Sequence, residues 1–286
     1  MPERPDLAYV IPRLRDSVVG RRIAQVRVKE PIVLRVGAQG TLETLLVGRT
    51  ITAVRRHLHF IVFDLEPGDV TLAVHPMLAG RFRLDDAGRR DLKSLCVALG
   101  FSEGPELRYR DDKRMGKVYL MATEAMHSVP GFMPVGVDVL NPKAFTVEVL
   151  AAILKKRRDQ LKVFLLDKGA VDSFGNAYAD EALHRAGMHP KRRCRELDAG
   201  EVQRLHAGMV QTLAEATQIV AERAPALDEK VRDFLRVRNR KGQPCPVCKS
   251  TIRAAGVRGH DAFFCPTCQP DPKDRGFVSW RSGHQN

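Results

Sequence analysis

The chain has 286 residues, 44% of them hydrophobic, and a formal net charge of +13 from 47 Lys and Arg against 34 Asp and Glu. That length suits about two domains plus a small appendage, and that apolar share excludes wholesale disorder. A pI near 9.8 makes polyanions, nucleic acid foremost, the expected partners and argues against a membrane protein, since no run reaches the roughly 18 apolar residues of a spanning helix.

The first turns place Leu7, Val10, Ile11, Leu14 and Val18 at helical spacing, which predicts a helix over 5–19. Short β-branched runs follow from about residue 23 to 120. Those at 51–54, 60–63, 70–74, 94–99 and 117–121 predict strands joined by tight turns, hence a sandwich or barrel. Past the Pro- and Gly-rich stretch 129–136 the periods lengthen. Helices are expected over 147–154, 160–166, 177–186 and 199–221, as a second domain. A basic linker, 236–244, enters a cysteine-bearing segment, and a polar tail holding the single Trp280 closes the sequence. The predicted fold is α+β and multidomain, divided as 1–130, 131–236, 237–270 and 271–286.

Six cysteines fall into two CxxC units and two isolated residues, Cys96 and Cys194. The start Met1-Pro2-Glu3-Arg4 has neither the basic nor the apolar region of a signal peptide, so a reducing, cytoplasmic setting is expected. Cys245-Pro-Val-Cys248 and Cys265-Pro-Thr-Cys268 are separated by 16 residues. Two knuckles so spaced present four thiolates to one tetrahedral zinc ion, closed to catalysis and therefore structural. Two redox CxxC pairs are the alternative. Arg253, Arg258 and His260 make the segment between the knuckles basic, suited to phosphates or merely to solvent.

Three separated stretches carry a resemblance. Met1-Pro2-Glu3-Arg4-Pro5-Asp6, then Phe174 to Glu181 with Ala186-Gly187-Met188-His189-Pro190, then Gly242 to Cys248 with Phe264 to Gln269, are similar in order and spacing to the formamidopyrimidine-DNA glycosylase and endonuclease VIII family. The similarity spans residues 1 to about 269. It implies an N-terminal helix with a two-layer β-sandwich, a helix-two-turn-helix domain and a zinc finger, with DNA between the halves.

Alone, Pro2-Glu3 starts a helix, since Pro and acidic residues favour first turns. Within the resemblance they are catalytic. Removal of Met1 exposes a secondary amine able to attack a sugar C1′, and Glu3 moves protons to and from sugar and base. Asp6 stands where the family has Glu and withdraws the carboxylate by about an ångström and a half. Glu181 matches a family carboxylate, to be found either near the site or on an exposed helix face.

A flipped-out base leaves a gap to be filled. The resemblance puts Leu78, Lys113 and Met115 at the filling positions, with Lys113 in place of an Arg that reads the orphaned base bidentately. Phosphate contacts fall on His59, Asn176 and His260, with Arg56, Arg114 and Arg258 available to replace the cations lost at the two histidines. Two histidines at phosphate sites predict affinity that rises as pH falls through about 6.5. The connection 223–230 lacks the loop of members specialised for oxidised guanine. The expected function is that of a monomeric, nucleoid-associated bacterial DNA glycosylase and abasic-site lyase acting on damaged duplex DNA. A relative that recognises damage but cleaves poorly is the alternative, and an unrelated zinc-stabilised RNA-binding protein a more distant one.

Overall fold

A computed structural model describes residues 2–172 and 174–271. Trp280 and the tail from residue 272 lie outside the described residues. The chain divides into two compact units, Met1–Val135 with Glu215–Arg232, and Gly136–Ala214 with Asp233–Asn286. Among the described residues no helix is long and apolar enough to cross a membrane.

The first unit opens with helix α1 (Arg4–Val18), whose buried stripe includes Leu7, Leu14 and Val18. Strand β1 (Ile23–Val28), β2 (Leu34–Val36), the short helix α2 (Leu42–Leu46), β3 (Thr50–His57), β4 (Phe60–Glu66), β5 (Val70–His75), β6 (Arg81–Asp85), β7 (Leu95–Phe101), β8 (Glu106–Arg110) and β9 (Lys117–Ala122) follow. They form a five-stranded sheet, β2-β9-β5-β4-β3, and a four-stranded one, β1-β7-β8-β6. Ile61 and Phe63 from the first sheet and Phe82, Leu99, Leu107 and Tyr109 from the second belong to one core, which also takes in the α1 stripe. Sandwich, not barrel, is the outcome.

Strand β4 is apolar on both faces for a reason. Ile61, Phe63 and Leu65 face the main core, while Phe60 and Val62 pack with Met126, Val129 and Phe132 in a second cluster outside the sheet. The outer face of the other sheet is charged and self-paired. Arg108 on β8 binds Glu106 (2.6 Å) and Asp85, and Arg27 on β1 reaches Glu106 (2.8 Å) and Asp91 (2.9 Å).

In the second unit, helices α3 (Val147–Lys155), α4 (Leu161–Leu166), α5 (Asn176–Ala186) and α6 (Ala199–Arg223) are followed by the hairpin β10 (Arg253–Val257) and β11 (His260–Phe264). The last turns of α6 belong to the first unit. Helix α5 is buried on nearly every side and ends on Gly187, whose φ of +68° supplies the left-handed cap. Gly208 of α6 lets that helix approach α5 closely: a Cβ there would lie 3.0 Å from the Ala182 carbonyl oxygen.

Candidate active site and DNA-contacting residues

Pro2 and Glu3 are both buried at the entrance to α1, with Glu3 as its N-cap. The Glu3 main-chain N–H donates to Asp6 Oδ2 at 2.7 Å, one half of a capping box. Both Asp6 oxygens also accept from the guanidinium of Arg232, Oδ1 at 2.9 Å. Asp6 therefore anchors the chain start to the segment after α6. Pro2 and Asp6 line a small cavity of about 20 Å³, room for about one water, together with Ile61, Gly80, Arg81 and Lys230. Burial lowers the pKa of Arg81. It lowers that of Lys230 too, aided by the like charge of Arg81. Cations close around the chain start.

Two loops rise in the same unit. In the first, Met77 takes a φ of +47° and its N–H donates to His75 Nδ1 (3.1 Å), leaving Leu78 half exposed at 50%. Lys230 Nζ donates to the Leu78 carbonyl at 3.4 Å. In the second, the buried Asp111 carboxylate accepts from the main-chain N–H of Lys113 (3.0 Å) and of Gly116 (2.6 Å). That turn holds Lys113 out to solvent and leaves Met115 39% exposed. Arg114 pairs with Glu30 at 2.6 Å, so its charge is already balanced.

The Tyr109 hydroxyl sits beneath both loops. A Cβ on either Gly80 or Gly116 would overlap it, which is why glycine occupies both loop ends. That hydroxyl is buried and has no hydrogen-bond partner among the described residues, a cost of about 1–3 kcal/mol relative to a satisfied group. Tyr109→Phe is expected to raise stability by about 1 kcal/mol, read as a higher denaturant midpoint. A lower midpoint would show that the hydroxyl is satisfied in solution.

The histidines divide. His59 is only 5% exposed, with its ring edge-on to His75, 6.4 Å between centroids. A phosphate contact there needs the ring to swing out. His57, one turn of chain earlier, stacks on Phe132 at 3.7 Å and bonds its carbonyl through Nε2 at 2.7 Å. In the second unit, His260 is half-buried and flanks the two-residue turn Arg258-Gly259, both at positive φ (+45° and +82°), a type I′ hairpin geometry. Arg258 is exposed at the tip.

Asn176 opens α5. Its side-chain oxygen is buried with no hydrogen-bond partner among the described residues, while its main-chain carbonyl accepts from the buried Lys162 Nζ at 2.7 Å. Glu181, expected either near the site or on an exposed helix face, is buried. Its carboxylate accepts three main-chain N–H bonds, from Arg236 (2.8 Å), Val237 (2.9 Å) and Arg238 (2.9 Å), and so fixes the linker to α5. Burial raises its pKa against the pull of those amides.

The Sγ atoms of Cys245, Cys248, Cys265 and Cys268 all lie within 4.8 Å of one another. Zn–S bonds of about 2.3 Å in a tetrahedron put sulfurs about 3.8 Å apart. The pairs Cys245 to Cys268 (3.9 Å) and Cys248 to Cys265 (3.3 Å) bracket that value. Both contacts join one knuckle to the other, and all four cysteines are free thiols gathered in one cluster, the arrangement of a shared ion rather than of two separate CxxC pairs; the four thiolates hold one structural zinc ion. His184 Nε2 lies 3.5 Å from Cys245 Sγ, and burial with Arg236 and Arg185 nearby keeps that ring neutral. Gln269 ties the second knuckle down, accepting from the Cys265 N–H (3.0 Å) and donating to the Met188 carbonyl (2.8 Å).

Sequence reasoning overlooked Arg81, Arg232, Lys230, Tyr109 and Arg238. None lies in a motif, and each meets its partners only through folding.

Three family descriptions match successive parts of the chain. They are the formamidopyrimidine-DNA glycosylase N-terminal domain over residues 1–118, the formamidopyrimidine-DNA glycosylase H2TH domain over 135–224, and the zinc finger found in FPG and IleRS over 242–270. The formamidopyrimidine-DNA glycosylase of Pelotomaculum thermopropionicum is 31% identical over 278 residues, 94% of this chain and 99% of that one. That of Brevibacillus brevis is 33% identical over 279 residues, with the same shares. Among solved structures, Lactococcus lactis Fpg bound to DNA containing N7-benzyl-Fapy-dG superposes with a TM-score of 0.84 at 25% identity. It covers 94% of this chain and 100% of its own.

Proposed function

Because the chain belongs to the formamidopyrimidine-DNA glycosylase family, and is with it a DNA repair glycosylase with abasic-site lyase activity, we propose that Pro2 is its nucleophile and Glu3 its proton carrier. The observation that carries this reading is the burial of Pro2 in a small cavity lined by Arg81 and Lys230. Once Met1 is removed, burial and neighbouring cations both disfavour the protonated amine, leaving its lone pair for the sugar C1′. The same cations attract the phosphates flanking that sugar. Glu3 gives a proton to the departing base and takes protons during elimination from the resulting iminium. Asp6, saturated by Arg232 and the Glu3 amide, holds the nucleophile in place.

Leu78 and Met115 fill the gap left by the flipped nucleotide, and Lys113 faces the orphaned base. Asn176, Arg258 and His260 hold phosphates. His59 joins them only if its ring turns outward, and Arg114 only if it leaves Glu30. The chemistry belongs to residues 1–130, joined by Lys230 and Arg232 from 131–236, and the grip to the rest of 131–236 and to 237–270. The substrate is damaged or abasic duplex DNA, bound by one copy of the chain. Chromosomal DNA as the target implies work in the cytoplasm, at the nucleoid.

Incubation with an abasic-site duplex is expected to nick the strand, and borohydride is expected to convert the intermediate into a stable protein–DNA adduct. Tight binding without nick or adduct would instead identify a damage-recognition protein with little cleavage. Release from a panel of oxidised, alkylated and crosslinked duplexes then fixes the base preference.

A further inference from the structure

A chain of ion pairs crosses the second unit. Lys162, wholly buried, donates to the Asn176 carbonyl (2.7 Å) and to Asp180 Oδ1 (2.8 Å). The other Asp180 oxygen accepts from Arg238 at 2.9 Å, and the second arm of the same guanidinium reaches Asp261 Oδ2 at 2.8 Å. The Arg238 guanidinium also lies 4.9 Å from the centroid of the Phe263 ring. Asp261 follows His260 at the start of β11, so the bridge grips the hairpin near its tip. At its base the hairpin is already held, by the Phe264 ring edge-on to His189 at 4.6 Å.

The linker is already fixed to α5 by the main-chain amides that Glu181 binds, so the Arg238 side chain is not needed for that alone. Nor does it serve the knuckles, which the thiolates and Gln269 hold. What it supplies is attachment of the tip half of a two-stranded ribbon, an element that is marginal on its own. Asp261 makes the same point from the other side. A carboxylate beside His260 repels phosphate, and a surface that grips DNA disfavours such a group unless its charge has another use.

We propose that Arg238 is a positioning residue for DNA binding: by bridging Asp180 of α5 and Asp261 of β11, it sets where Arg258 and His260 stand relative to Asn176. The proposal rests on the reading that these three residues hold phosphates. Lys162 aims Asp180 from the α4 side, so the bridge has a fixed inner end. A lysine at 238 keeps the charge but cannot span two carboxylates as a planar fork does.

The test uses the full-length, zinc-loaded protein and a duplex bearing a reduced abasic-site analogue that cannot react. Asp261→Asn is expected to weaken binding about tenfold, the usual order for losing a charge-assisted bond, although it removes a negative charge from the binding face. Arg238→Lys and Arg238→Met are expected to weaken it at least as much, and Arg238→Met with Asp261→Asn together no more than Arg238→Met alone. Zinc content is expected to stay at one ion per chain. With a cleavable abasic duplex, the loss is expected in KM and not in kcat, since Pro2 and Glu3 are untouched. Asp261→Asn that binds as tightly as the parent, or tighter, overturns the proposal, as do additive losses. Arg238→Lys matching the parent overturns it as well, because charge alone would then suffice. A parent protein that fails to bind the duplex sinks the functional reading itself, a result distinct from any of these.

Discussion

Pro2→Gly is expected to abolish borohydride capture on abasic-site DNA, and Glu3→Gln to cut base excision by about 10²–10⁴-fold, the usual share of a positioned acid or base. The two losses differ in kind. Glycine at position 2 leaves an amine, but a primary one on a backbone free of the ring's constraint, so both the iminium and the placement of the lone pair suffer. Glutamine at position 3 keeps shape and polarity while removing the transferable proton. It leaves Pro2 able to attack an abasic sugar that has no base to expel, so capture on a preformed abasic site should outlast excision of a damaged base. Both changes spare the helix start: the cap bond from the Glu3 main-chain N–H to Asp6 does not depend on the side chain at position 3, and glutamine there keeps an acceptor oxygen for the other half of the capping box, the Asp6 main-chain N–H. Residue 2 lies outside α1, which begins at Arg4. Melting temperatures within a degree or two of the parent are expected for both variants. A Glu3→Gln protein that excised damaged bases at the parental rate would remove Glu3 from the chemistry. Adduct formed undiminished by Pro2→Gly would show either that a primary amine at position 2 suffices or that the nucleophile is another amine, such as Lys230, in the same cavity and with a lowered pKa; mapping the adduct to its peptide separates the two.

What could be foreseen from the chain order divides along a physical line. Apolar runs announced β4, β5, β7 and β9, because their residues face a core on one side or both. Strands β6 and β8 were harder to see, since Arg83, Asp85, Glu106 and Arg108 interrupt them with charge. Those charges lie on the outer face and neutralise one another, which no window of a single strand can display. The same division holds in the site. The four cysteines sit in a local motif and were legible from it, whereas Pro2 and Glu3 alone read only as a helix start and take a catalytic role from the resemblance. Arg232 was not legible, because it meets Asp6 across 226 positions. Glu181 on α5 could be read from the sequence as near the site or on an exposed helix face, and its neighbour Asp180 drew no reading at all. Instead the linker and Lys162 wrap that face and supply every partner the carboxylates need. His59 was placed at a phosphate by similarity, and only packing could reveal that its ring is turned inward.

Stripping the zinc is expected to unfold the segment 242–270 and abolish DNA binding, while most of the helical signal of the second unit persists. The reason is the size of the finger's own core. Its buried cluster is Val237, Cys245, Ile252 and Cys265, with Phe263 packed against it, so two of its four buried members are metal ligands. Three apolar side chains at about 1.5–3 kcal/mol each are outweighed by the roughly 10–16 kcal/mol of a structural zinc ion. Without the ion, four thiols in close contact lose the centre that holds them, and His184 loses the thiolate beside it. Helix α5 has other supports. Its contact with α6 at Gly208, its Gly187 cap and the Glu181 bonds to residues 236–238 all lie outside the finger. Circular dichroism should therefore lose little helix, whereas affinity for an abasic duplex should fall to the level of a protein truncated after residue 241. Returning zinc should restore it. Cys248→Ser, at a half-exposed corner, should weaken zinc retention less than Cys245→Ser, whose sulfur is buried against His184. If affinity survived with zinc measured at zero, Arg258 and His260 would not be phosphate ligands, and the grip on DNA would have to come from Asn176 and the first unit alone.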